Sequence, residues 1–295
     1  MRPLSPAQRH RARILQEQAQ ATSPYGTELQ GDAYGLMRIK LSQDKARLSA
    51  TQSHERRAEM KAKLLPEYLD WIETAVKGTG AQDQVLTTVM VWCFDAGAYG
   101  LGLRIASYVI RHKMPMADEY KRSAAAIVID ELANAYLKGQ WKPLDVQAGE
   151  DDTRQLAPAI VEPGKQRDHT AATLAEAYAL TAEQDAPDQA RAKLLKAIAY
   201  AAMGKVQTAE DPDLTTIEPG ELRSALQVLQ RALTLDSNCG VKKDIERLER
   251  VLAKTGNADA SPPTQQPAAA KAAPARKTPA AKKAASPARQ RPPRK

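Results

Sequence analysis

The chain has 295 residues, with 43 Lys plus Arg against 35 Asp plus Glu and a formal net charge of +8. That length suits two domains or one long helical array, and no apolar run approaches the roughly 18 residues of a membrane span. Two distant cysteines, Cys93 and Cys239, exclude a disulfide framework and point to a reducing, cytoplasmic setting.

The positive charge is unevenly placed. Residues 254–295 hold ten basic groups and one acid, whereas the other 253 residues carry 33 positive and 34 negative charges. The basic character therefore belongs to a tail, a pattern of interaction appendages rather than of basic domains. The opening MRPLSPAQRHRARILQEQ lacks the apolar core of a secretory signal. No segment alternates convincingly with period two, so the expected fold is all-α.

Residues 1–63 read as a basic helical arm, with twelve basic and six acidic groups. Ser5-Pro6 supplies an N-cap followed by proline in the first helical position. The helix after it carries Arg9, Arg11 and Arg13. These are candidate phosphate contacts, since guanidinium groups bind phosphate bidentately; the alternative is a solvated arm. Thr22 to Gly35 resembles a linker. From Leu36 to Lys63 the residues favour helix, with Met37, Leu41 and Leu48 on one side, as an arm awaiting a partner or a coiled-coil strand.

Residues 64–138 form the front helical core. Pro66 opens a helix striped by Leu65, Leu69, Ile72 and Val76, and Gly78 stops it. Gln82 and Asp83 open a second helix whose Val85, Leu86, Val89, Met90, Trp92, Cys93 and Phe94 predict burial nearly all round. Gly97 ends it. Ala98, Leu101, Ile105, Tyr108 and Val109 stripe a third helix, closed by the cations Arg111, His112 and Lys113 and by Pro115. Ser123 to Lys138 is a further amphipathic helix.

Residues 139–168, with several Gly and Pro and the acidic run Glu150-Asp151-Asp152, read as a long connection with at most a short helical turn. Residues 169–253 form rear helical hairpins. Leu174 and Ala177 mark one helix, and Pro187 starts the next, striped by Leu194, Leu195 and Ile198. An insertion at 205–220 follows. Leu222, Leu226, Leu229 and Leu233 then stripe a helix broken at Gly240, before Val241, Ile245, Leu248 and Leu252. Gly97–Pro115 and Gly220–Ser237 both resemble the second helix of a tetratricopeptide hairpin, without a regular period, so antiparallel helical hairpins of that degenerate kind are expected.

The tail, 254–295, is built of Ala, Pro, Lys and Arg and cannot bury enough apolar surface to offset its chain entropy. It is expected to be disordered and to bind phosphates through Arg276, Lys277, Lys282, Lys283, Arg289 and Arg291. No aromatics interleave these cations, which argues against base stacking.

Chemistry-bearing motifs are sparse. There is no P-loop, no nucleophile elbow and no zinc spacing among Cys93, Cys239 and four scattered histidines. Glu59-x-Lys61, Glu119-x-Lys121, Asp130, Glu131 and Glu150–Asp152 are the acids nearest to a nuclease pattern, and none has the context of a Mg²⁺ site. No catalytic or metal residue is assigned. No cofactor is expected, with Mg²⁺ reserved for the case in which the chain itself cuts DNA.

An ordered set of segments carries a family resemblance: SPAQRH at Ser5–His10, LLP…W at Leu64–Trp71 and GAQD…TVMVW at Gly80–Trp92. IASYVIRHKMP ending at Pro115, PDQARAKL at Pro187–Leu194 and LQRALTLD…GVKKDIERLER at Leu229–Arg250 complete it. The chain resembles the terminase small subunit of P-two-like tailed phages, also called the terminase endonuclease subunit. The resemblance implies binding of the packaging site on double-stranded phage DNA, a large subunit carrying the ATPase, a homo-oligomer and work in the host cytoplasm. It also implies endonuclease activity of the complex. Two further readings stand beside the adaptor: a metal-dependent endonuclease in its own right, and a helical-repeat scaffold whose tail binds any polyanion.

Overall fold

The computed structural model describes residues 6–22, 27–117, 119–149, 153–206 and 211–258. The amino-terminal part comprises α1 (Pro6–Thr22), α2 (Asp32–Ser49), α3 (His54–Leu64), a 3₁₀ turn (Leu65–Tyr68) and α4 (Leu69–Ala75). α5 (Gln84–Ala96), α6 (Tyr99–Arg111) and α7 (Ala124–Leu137) follow. After a two-stranded hairpin, β1 (Leu144–Ala148) and β2 (Arg154–Pro158), come α8 (Gln166–Thr181) and α9 (Asp188–Ala202). α10 (Pro219–Leu235) and α11 (Lys242–Ala258) close the described chain. The fold is helical, as the periodicity requires. Among the described residues no helix is long and apolar enough to cross a membrane.

α5 is the centre of the front half. The Asp83 carboxylate caps it by accepting from Leu86 N–H at 3.0 Å. Every residue from Val85 to Phe94 is buried, consistent with the nearly unbroken apolar run. Removing one such side chain, for example Leu86→Ala, costs about 2–5 kcal/mol in cores of this kind. Gly97 ends the helix in the left-handed region at φ 89°. A Cβ there would also collide with the Lys142 carbonyl oxygen, which passes over the turn.

The expectation for 139–168 is corrected here. The segment is not a structureless connection with a helical turn: β1 and β2 pair antiparallel, with Val146 opposite Leu156. The hairpin is fixed from outside. Leu144 N–H donates to Gly97 O at 2.9 Å, and Arg154 on β2 forks onto Asp70 and Glu73 of α4. Its acidic tip, Glu150–Asp152, lies outside the described residues.

Two smaller differences concern the amino-terminal arm. The stretch read as a linker contains Glu28, bridged to Gln82, and the start of α2 at Asp32. The stretch from Leu36 to Lys63 is two helices, because Ser53 turns extended and caps α3 by accepting from Arg56 N–H at 3.3 Å.

In the rear half α9 packs between α8 and α10 and also against α7, and α10 packs on α11. Short links join α8 to α9 and α10 to α11, as helical hairpins require, whereas α9 reaches α10 through the longer segment 203–218. Buried side chains from Ala19 to Leu248 join in one cluster that spans front and rear.

Two glycines near α6 have opposite roles. Gly100 sits in the first turn of α6 with no atom within 4 Å of a built Cβ. Gly97→Ala should therefore destabilise the protein by about 2–3 kcal/mol, whereas Gly100→Ala should stabilise it by about 0.5–1 kcal/mol. Urea unfolding of the two variants beside the parent checks both signs.

Candidate nucleic-acid interface

α1 is held to the core by a short buried chain of polar contacts. Gln16 is buried, and its Nε2 donates to the Trp71 carbonyl at 2.8 Å. Trp71 in turn donates from Nε1 to Asp83 Oδ2 at 2.8 Å. Tyr34 of α2 stacks on Trp71 with ring centroids 6.1 Å apart, and its hydroxyl accepts from Gln84 N–H at 3.2 Å. Burial first, then the Asp83 carboxylate, push the Tyr34 phenol up to about 12. The same node thus fixes α1, α2, α4 and α5 together.

With Gln16 and Ala19 turned inward, α1 presents Arg11 and Arg13 to solvent. Arg13 lies 3.4 Å from His10 Nδ1, and among the described residues neither arginine forms an ion pair. Helical geometry puts positions 11 and 13 on different faces, so these two arginines do not form one row. The Arg9 side chain lies outside the described residues, as do Arg276, Lys277, Lys282, Lys283, Arg289 and Arg291.

The structure adds a cationic element that the sequence reading did not single out. Arg56 and Arg57 stand in the first turn and a half of α3. Arg56 is exposed, and Arg57 meets the His54 ring at 3.1 Å. Cations near a helix amino terminus oppose the helix dipole; Glu55 shares that turn, but among the described residues neither arginine forms an ion pair. Other cations of the amino-terminal half do find acids: Arg38 pairs with Glu28, Lys45 with Glu119, Lys61 with Asp95 and Arg47 with Asp44. The available signal was the HERR run beside the +6 balance of residues 1–63.

The acids considered for metal chemistry are placed otherwise engaged. Glu119 binds Lys45 at 2.8 Å, and Arg122 clamps Asp130 at 2.8 Å and Glu131 at 3.0 Å. Among the described residues no group of three or more His, Cys, Asp or Glu is placed to hold a metal ion.

What emerges is a helical-hairpin protein with exposed arginines on its amino-terminal helices and a basic carboxy-terminal segment. A family model for the phage small terminase subunit matches residues 38–189, and the chain belongs to that family. It is 34% identical over 251 residues to the "Terminase, endonuclease subunit" of Escherichia phage P2, covering 84% of this chain and 85% of that one. It is 26% identical over 261 residues to the "Probable terminase, endonuclease subunit" of Haemophilus phage HP1 (strain HP1c1), covering 84% and 82%. No solved structure matches the chain.

Asp83 gives the node a pH signature. Burial raises its carboxyl from 3.8 to about 6, against the pull of the Leu86, Trp71 and Val85 donors. The folded state therefore holds a proton that the unfolded chain has lost, so this group's contribution to stability falls as pH rises from about 4 to about 6. Asp83→Asn removes the titration and leaves one of the two donors, Leu86 N–H or Trp71 Nε1–H, without an acceptor, costing about 1–3 kcal/mol. The parent's advantage over Asp83→Asn should narrow by on the order of 3 kcal/mol between pH 4 and pH 7. Denaturant unfolding at both pH values measures it, and a constant difference would remove Asp83 as the titrating group.

Proposed function

We propose that this chain is the DNA-recognition subunit of a phage packaging terminase. It binds the packaging site through its amino-terminal helices and its basic tail and delivers the DNA to an ATPase large subunit. Membership of the phage small terminase family carries the reading. The charge distribution supports it: ten of the 43 basic residues lie in 254–295 beside a single acid. Tail cations add affinity without sequence information, because phosphate contacts position and base contacts specify. Selectivity is assigned to the folded part, with Arg11 and Arg13 on α1 and Arg56 on α3 as its cationic contacts.

Self-association belongs to the same reading. Leu36 and Ile39 on α2 are 66% and 58% exposed, and Ile14 and Leu15 on the adjoining α1 are also exposed. These apolar groups suit contacts between copies, in the host cytoplasm where packaging takes place. A second reading, cleavage by this chain alone, draws on the word endonuclease in the names of the two phage relatives. The engaged acids Glu119, Asp130 and Glu131 favour a partner that brings the Mg²⁺ site.

Binding and cleavage are measured with the purified chain, using DNA with and without the packaging site, Mg²⁺ present or chelated, and the large subunit omitted or added. The expected result is binding by the chain alone and cutting only with the large subunit present. Chelator-sensitive cutting by the chain alone would transfer the chemistry here. If about eight tail charges meet phosphates, deleting 259–295 should make the log–log salt slope shallower by roughly 7. Preference for the packaging site should survive that deletion.

A further inference from the structure

A cleft of about 720 Å³ opens between the end of α7, the start of α9 and the link from α10 to α11. Lys138, Lys193 and Lys196 line it. Among the described residues none of the three forms an ion pair. Lys193 donates to the neutral Asn134 Oδ1. Lys196 donates to the Cys239 carbonyl at 2.9 Å and lies 5.4 Å from the centre of the Tyr200 ring. Lys138 is exposed. Neutral oxygens satisfy an ammonium's hydrogen bonds and leave its charge uncompensated.

The cleft has two acids against three lysines, so its lining keeps an excess of positive charge. Asp130 pairs with Arg122 at 2.8 Å, a guanidinium it shares with Glu131. Asp236 accepts from Asn238 N–H at 2.9 Å in the turn that ends α10. Leu137, Pro187 and Ala190 supply apolar wall, and Gln189 a neutral polar group.

We infer that this cleft, lined by Lys138, Lys193 and Lys196, is a docking site for an acidic, extended peptide segment of the large terminase subunit. The size matches a short stretch of side chains. The apolar wall has nothing to offer phosphates but suits the aliphatic residues between carboxylates. A duplex presents a convex backbone, which a recess between helix ends does not follow. The site lies between α7, α9 and the α10–α11 link, whereas the arginines assigned to DNA lie on α1 and α3. One chain could thus hold DNA and motor at once.

This inference rests on the large-subunit partnership proposed above. The test uses the full chain. Lysine acylation read by mass spectrometry is compared for the chain alone, with the large subunit, and with duplex DNA. Labelling of Lys138, Lys193 and Lys196 should fall at least about fivefold with the large subunit and stay unchanged with DNA. Association with the large subunit should weaken about tenfold or more in K138E/K193E, and to a smaller extent in the neutral K138Q/K193Q. Helix content and DNA affinity should be retained in both. Protection by DNA instead would make the cleft a phosphate site and overturn the inference. Protection that rises with the chain's own concentration would make it a contact between copies, with the same consequence. Undiminished association of both variants would sink the cleft alone, whereas a parent chain that does not bind the large subunit would sink the partnership as well.

Discussion

The hydrogen bond from Trp71 Nε1 to the buried Asp83 carboxylate is the contact on which the front half depends. Asp83 is both the cap of α5 and the acceptor for an indole of α4. The Trp71 carbonyl receives α1 through Gln16, and the Trp71 ring receives α2 through Tyr34. A buried carboxylate is costly unless its lone pairs are filled, so donors from separate elements are needed around it. That requirement fixes four helices relative to one another with few apolar contacts from α1 itself, whose described outer face carries arginine.

Charge is organised on a second principle. In the folded part, most cations close to an acid are paired with it, and even the buried Asp44 is enclosed by Lys40, Arg47 and the Tyr68 hydroxyl. The folded part is close to neutral in sum, so it has little long-range attraction for polyanions. Local groupings of cations without an ion pair then carry the interest: Arg11 and Arg13, the first turns of α3, and the cleft lysines. A tail of +9 on a nearly neutral body raises encounter with DNA while leaving selection to groups held in fixed geometry.

Much of the helical framework was legible in local chemistry. Asp83 and Ser123 as caps, Gly97 as a stop and the all-round burial of α5 follow from residue type and spacing. The hairpin of 144–158 was not, for a physical reason. Leu144-Asp-Val-Gln-Ala and Arg154-Gln-Leu-Ala-Pro are weak strands, and their fixed points are remote in sequence, at Gly97, Asp70 and Glu73. The segment before α2 was read as a linker because its pairing with Gln82 is likewise long-range. At the candidate site, the arginines of α1 could be picked out by composition. That Arg56 and the cleft lysines lack carboxylate partners depends on which acids the fold brings near, and no spacing rule reports that.

The central claim is that the Trp71–Asp83 contact governs the order of the amino-terminal helices. Amide hydrogen exchange on Trp71→Phe tests it most directly, because phenylalanine keeps an aromatic ring against Tyr34 and deletes the indole donor. The account predicts faster exchange through α1, α2 and the first turn of α5, with protection of α8 to α11 unchanged. Identical protection of α1 in parent and variant would contradict it.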